Sequence, residues 1–596
     1  MSVQICSVVL ASLLLACGAH ATDQSTAPAT LPLQAYGPLA LPFDQTHGLS
    51  LVLETDLGVI APDLQKIPRD DPALLGAGNL VDAERLVKQV GWGDAAPYLY
   101  SAVIDALGRL YNSLSIDLMR LSDGTALLQR GPLRAGILHI RVFGNRQLYQ
   151  AAAQGTSHSG QDGYWNPRTN EVGIFIDVAI LDLARRLEDP GQTEGRIANI
   201  ETLRAFIYQR LLYKVGHELF HAIQANQSND AYLFPLVSEA TAMMAQDNLL
   251  TRENMITLIR GMQTMGQMGQ DEKNAAACDA DGIRAFNIYR LRRLIRAYEV
   301  ISRDPAFSVT SLLAMDDNSF GTDSGAEMLD RYAVSYAFLD VLLSLDRTGV
   351  RSYETVMSEL TSAGSIARSR SDAEALDKIF RERLTRLAQQ LWLNPKAEEQ
   401  FTKATQRVTA CQQAWNLANA FGSAAEAFAY KPQSPTGPLY AGDIFYQLRQ
   451  PLLALDFYLM AREASSRPGA DDYVSRIQSR VADASELIGD VDGAIAAYSS
   501  IISKAPENPA LLQTWVRAAL KLEYYNHLQQ RGILIRGKHV EQLNLLLNGF
   551  GEALLTDPRY AAAVAANDLA TFQAVVQEKA LATRAVLMRD ASQALP

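Results

Sequence analysis

The 596-residue sequence predicts an α+β domain followed by an all-α domain, and three observations predict it. Alternating and β-branched apolar runs, with helical stretches between them, lie in the first third of the chain. From about residue 200 the apolar spacing turns helical, and beyond about residue 400 strand signals almost vanish. Between these regimes, on a helical pattern, stands His217-Glu218-Leu219-Phe220-His221.

The first 22 residues carry no charge, and residues 8–15 form an apolar run too short to span a bilayer as a mature helix. Ala19-His20-Ala21 has the form of a processing site that would leave Thr22 first. Leu14-Leu15-Ala16-Cys17 resembles the bacterial lipobox, in which Cys17 is lipidated. Neither pattern has its usual basic residue ahead of it. Processing after Ala21 makes residues 1–21 a signal peptide, whereas in the lipobox reading Cys17 becomes residue one. Both imply export to a bacterial cell envelope, periplasmic or lipid-anchored at the outer membrane. No later segment is apolar for long enough to cross a membrane.

Composition narrows the class. A chain with 48% hydrophobic residues can bury sizeable cores, and its length implies two to four domains. The formal charge of −11 argues against nucleic acid as a general partner. Outside the leader only Cys278 and Cys411 remain. In an oxidising compartment they are a disulfide candidate, with two separate buried thiols as the alternative.

Residues 22–48 are rich in Thr, Pro and Ala and read as a tether. Residues 48–54 read as the first strand, residues 81–90 and 95–114 as helices, 135–143 as a strand and 145–153 as a helix. Asn166-Pro167-Arg168 marks a turn feeding a further strand at 172–176. His139 alternates within a strand and His158 lies in a polar loop, so both read as structural.

The stretch 203–224 is a long amphipathic helix carrying the His-Glu-x-x-His motif. Positions i and i+4 share a helix face, so His217 and His221 can offer two imidazole nitrogens to one metal ion. Glu218 lies about 100° further round, within reach of a water at that metal without being a ligand. A third ligand is sought in Pro235-Leu236-Val237-Ser238-Glu239-Ala240-Thr241-Ala242, a short apolar helix with Ser238 as N-cap. A carboxylate in so uncharged a segment is costly to bury unless paired or bound to metal, which singles out Glu239. An ordinary carboxylate at a helix N-terminus is its alternative.

Here the sequence resembles the gluzincin metallopeptidases, the thermolysin and zinc-aminopeptidase superfamily. Their pattern is His-Glu-x-x-His followed, roughly twenty residues on, by a glutamate among small residues. The resemblance implies a zincin-like fold with one Zn²⁺ held by His217, His221 and Glu239. It also implies peptide hydrolysis with Glu218 as the general base, and an edge strand, the last of the sheet, that pairs with extended substrate. For residues 172–176 a plain core strand is the alternative. Residues 330–342 read as a further helix. In aminopeptidase-type gluzincins a tyrosine opens such a helix, a small residue follows three positions later, and the hydroxyl stabilises the oxyanion. Tyr332 with Ser335 resembles that pattern, and a tyrosine filling a helical core is the alternative.

Residues 431–438 (Lys-Pro-Gln-Ser-Pro-Thr-Gly-Pro) punctuate two helical tracts. Gly489 to Tyr498, ending at Ala505-Pro506-Glu507-Asn508-Pro509, resembles the second helix of a tetratricopeptide repeat (TPR). Ala454, Tyr458 and Ala461 echo Ala494, Tyr498 and Ile501 forty residues earlier, and residues 511–522 could open a third unit. An ordinary helical bundle that supports the catalytic domain is the alternative. The expected organisation is therefore a signal peptide at 1–21, a tether at 22–48, a zincin-like metallopeptidase domain at 49–400 and a TPR-like domain at 401–596. Its expected partners are a peptide or protein substrate and a protein held by the repeats. A non-catalytic envelope scaffold with structural zinc, or hydrolysis of a non-peptide amide or epoxide, are the competing readings.

Overall fold

The structure, a computed structural model, describes residues 34–40, 49–55, 136–143, 146–153, 163–166, 168–175, 216–222, 235–264, 287–315, 317–321, 325–344, 370–448, 450–465, 474–488, 491–503, 509–533, 537–566 and 568–593. The leader, the helices expected at 81–114, His158 and Cys278 lie outside these residues. Two compact units divide the chain, one from Ala29 to Pro432 and one from Gln433 to Pro596. Among the described residues no helix is long and apolar enough to cross a membrane.

A five-stranded mixed sheet opens the first unit: β1 (Gln34–Ala40), β2 (Leu49–Thr55), β3 (Gly136–Phe143), β4 (Gly163–Asn166) and β5 (Glu171–Phe175), in the order β1-β2-β3-β5-β4. The three central strands are parallel, and both edge strands run antiparallel to their neighbours. In β3 the period of two is explicit: Leu138, Ile140 and Val142 are buried, whereas His139 and Arg141 are half-exposed. His139 lies on this strand beside Glu54, 3.4 Å away, in keeping with a structural role.

The sheet corrects two expectations. Part of the supposed tether, at 34–40, is a strand. Its Pro38 is tolerated because β1 is an edge strand, with a register shift between Tyr36 and Leu39 that absorbs the missing donor. The strand expected at 172–176 is not at the edge; β5 pairs with β3 on one side and β4 on the other, so β4 is the edge among the described residues. The Asn166 side chain accepts from the Arg168 amide and Asn170 takes a positive φ of 51°, which closes the expected hairpin. The Tyr164 ring lies 2.0 Å from where a Cβ on Gly173 would sit, so only glycine fits opposite it. Helix α1 (Arg146–Ala153) covers this end, its Tyr149 packing on Phe143 and Tyr164 at 5.7 and 5.8 Å between ring centroids.

All later elements among the described residues are helical. The motif lies on α2 (216–222), followed by α3 (Pro235–Thr264), α4 (Ile288–Arg303), α5 (Val309–Leu313), α6 (Asp317–Phe320), α7 (Gly325–Ser344) and α8 (Arg370–Gln390). A common core joins Leu236 and Met243 of α3, Leu294 of α4, Leu312 of α5, Tyr336 and Phe338 of α7, and Phe380 of α8. Two buried carboxylates fasten it: Asp340 takes two bonds from Arg290 at 2.8 and 2.9 Å, and Asp247 takes two from Arg293 at 2.5 and 3.0 Å. Thus α4 ties the helix carrying Glu239 to the helix carrying Tyr332.

Helices α9 (Ala397–Gln413) and α10 (Leu417–Tyr430) complete this unit. The Ala-rich α10 buries most of its surface and packs on α3 and α4. The division at Pro432 therefore falls in the turn-rich stretch at 431–438, and residues 401–432 belong with the first unit rather than the second. Cys411 on α9 is a free thiol. Its expected partner Cys278 lies outside the described residues, and so does the pairing with it.

The second unit is all helical: α11 (Thr436–Gln447), α12 (Pro451–Ser465), α13 (Val474–Ile488), α14 (Val491–Ile502), α15 (Pro509–Gln530), α16 (Gly537–Leu555), α17 (Pro558–Ala566) and α18 (Leu569–Gln593). Each of α11 to α14 packs on its successor. The forty-residue echo has a structural counterpart. Tyr458 of α12 donates to Asp443 of α11 at 2.8 Å, and Tyr498 of α14 donates to Asp483 of α13 at 3.5 Å. Each aspartate also meets a cation from a later helix, Arg480 at 3.0 Å and Lys521 at 3.6 Å. An aspartate, a tyrosine and a basic residue thus recur together at both joints, as in a stacked helical repeat.

Candidate metal centre

Helix α2 presents His217 and His221 one turn apart on one face, as their spacing requires. Their rings meet edge to face with centroids 4.7 Å apart, and the two Nε2 atoms are 3.1 Å apart. Opposite them stands the N-terminal end of α3. Glu239 places Oε2 2.8 Å from Nε2 of His217 and Oε1 3.5 Å from Nε2 of His221. The three side chains form a group able to hold a metal ion, with one donor atom from each and all donors within 4.8 Å of one another.

Chemistry and dimensions both fit a cation. Two ring nitrogens and a carboxylate oxygen are the donor types that zinc takes, and ligand bonds of about 2.0–2.1 Å at tetrahedral angles put neighbouring donors about 3.3 Å apart. The observed separations of 2.8, 3.1 and 3.5 Å bracket that value. Burial would raise the Glu239 carboxyl, but the charges and hydrogen bonds of His221 and His217 hold it well below the usual carboxylate range. The Glu239 carboxylate is buried, and Leu236, Val237, Ala240 and Met243 beside it along α3 are buried too. Such a charge is retained only against a compensating partner.

Helix α3 differs from the sequence expectation in length and in start. It opens at Pro235, a favoured first helical residue, and runs for 30 residues. Ser238 therefore lies inside the first turn and is not the N-cap. Its Oγ is 3.1 Å from Nδ1 of His221, a contact that no sequence pattern signals. Consecutive residues of α3 thus address opposite nitrogens of one imidazole.

The remaining predicted residues also gather here. Glu218 is buried on α2 between the two histidines in sequence. Tyr332 lies with its ring 6.2 Å from the His217 ring and stacks on Phe320 at 5.9 Å. It does not open its helix: α7 begins at Gly325, two turns earlier, with its first residues exposed to solvent. Ser335 is fully buried one turn beyond Tyr332. Tyr332 also belongs to the common helical core, so the core-filling and site-adjacent descriptions both apply.

No family model matches the chain, and no curated protein or solved structure matches it.

Proposed function

We propose that this chain is an exported, zinc-dependent metallopeptidase whose first unit is a zincin-like catalytic domain. One observation carries the reading. The Nε2 atoms of His217 and His221 converge with the Glu239 carboxylate, beside a buried Glu218 on the same helix as the histidines. A zinc ion held there would supply a Lewis acid and bring the pKa of a water down to about 7.

The chain's own residues do the rest. Glu218 takes the proton of the attacking water and passes it to the amine leaving from the cleaved peptide bond. Tyr332, next to His217, is assigned the hydrogen bond to the developing oxyanion, a contribution of about 2.7–4 kcal/mol where such a donor is aimed well. Strand β4, the edge of the sheet among the described residues, is assigned to pairing with an extended peptide. The second unit, with its repeated joints, is assigned to recognising a protein partner.

The deciding experiment is a cleavage profile on a mixed peptide library, with and without a chelator, followed by zinc restoration. Cleavage that disappears with the metal and returns with it supports the reading. Stoichiometric zinc with no cleavage of any peptide would replace it with a non-catalytic envelope scaffold.

A further inference from the structure

We infer that Ser238 is a positioning residue of the metal centre, accepting the Nδ1 proton of His221 and so fixing the tautomer that turns a bare Nε2 toward His217 and Glu239. The inference rests on the metal reading above and goes beyond the ligand set. A neutral imidazole has one N–H and one lone pair, and the group bonded to one nitrogen determines which role the other plays. Nε2 of His221 faces two other donor groups, at 3.1 and 3.5 Å, so a ligand role requires its lone pair on that side. The proton must then be on Nδ1, where Ser238 Oγ stands at 3.1 Å.

Ser238 is itself held in place. It lies in the first turn of a 30-residue helix whose neighbouring side chains, Val237 and Glu239, are buried. Its own carbonyl accepts from Thr241 Oγ1 at 2.8 Å, which anchors the turn. Because Ser238 and Glu239 are adjacent, one rigid turn grips His221 from front and back. A shift of α3 would disturb both contacts together. The acceptor is also an uncharged hydroxyl. It polarises the imidazole less than a carboxylate would, leaving His221 a weaker donor and a bound cation more of its charge.

The test measures zinc affinity of the full-length chain by competition with a chromophoric chelator, for wild type and for Ser238→Ala, Ser238→Thr and Ser238→Val. Melting of each protein in chelator reports folding separately from metal binding. Ser238→Ala should weaken zinc binding by about 10–100-fold with little change in the metal-free melting temperature. Ser238→Thr keeps the hydroxyl and should bind close to wild type. Ser238→Val has the shape of threonine without the hydroxyl and should fall with alanine. Equal affinity of the threonine and valine variants overturns the inference and leaves the metal reading intact, even if the alanine variant fails to fold. Absence of zinc binding by the wild type overturns both.

Discussion

Lys521 Nζ donates to Glu486 Oε2 at 2.6 Å and to Tyr498 Oη at 2.8 Å, all three groups being buried in the second unit. Tyr525 donates to the other oxygen of Glu486 at 2.6 Å, so the carboxylate is satisfied on both sides. Such a pair adds little net stability when intact, because desolvation offsets the attraction. Removing one partner is different. Lys521→Met leaves Glu486 buried without its cation and should destabilise the unit by about 3–5 kcal/mol in denaturant unfolding. The double variant Lys521→Met, Glu486→Gln should recover part of that loss, and failure to recover any would deny the pairing its assigned role.

The tyrosines of the same unit make a pH prediction. Burial first, then the Glu486 and Asp483 charges, hold the Tyr498 and Tyr525 hydroxyls well above their usual range; burial and Asp443 do the same for Tyr458. Folded hydroxyls with raised pKa keep their protons while the unfolded ones ionise near pH ~10. Their contribution is therefore full below about pH 10 and is lost as pH rises from there toward the folded values. The unit should lose stability steeply above about pH 10. Tyr458→Phe and Tyr498→Phe should each flatten that slope, by up to about 1.4 kcal/mol per pH unit, in unfolding followed by circular dichroism.

Gly442 faces the Tyr458 ring, 2.4 Å from where a Cβ would be placed. The forty-residue counterpart of Gly442 is Ala482, so close approach of the helices at the first joint depends on the missing methyl. Gly442→Ala should cost about 1–3 kcal/mol through overpacking, despite alanine's higher helix propensity. A stabilised variant would show that the ring moves aside freely.

Glu218 and Glu239 should fail in different ways. Glu218→Gln should keep zinc and melting temperature while peptide cleavage falls by about 10²–10⁴-fold, as expected for losing a general base. Glu239→Ala removes one of three protein donors and should lose both zinc affinity and zinc-dependent stabilisation. Equal zinc content in wild type and Glu239→Ala would falsify the third-ligand assignment. Undiminished cleavage by Glu218→Gln would remove the mechanism while leaving the metal group in place.

Local spacing carried much of this protein in its sequence. The i, i+4 histidines, the Asn166 hairpin and the forty-residue echo of Tyr458 in Tyr498 are properties of a few neighbouring residues, and each reappears in the structure. Glu239 was legible because a lone carboxylate in an apolar helix needs a reason to be buried. Strand order was not legible. Periodicity identifies a strand but not its neighbours, so 34–40 passed for a tether and 172–176 stood between an edge implied by resemblance and a core strand. Helix starts were misjudged: buried Leu236 and Val237 open α3 ahead of Ser238, which is not the N-cap, and an exposed stretch from Gly325 opens α7 ahead of Tyr332. The contact between Ser238 and His221 depends on the packing of α2 against α3. A serine in a first helical turn looks the same in sequence whether it faces water or an imidazole, and only the tertiary fold distinguishes the two.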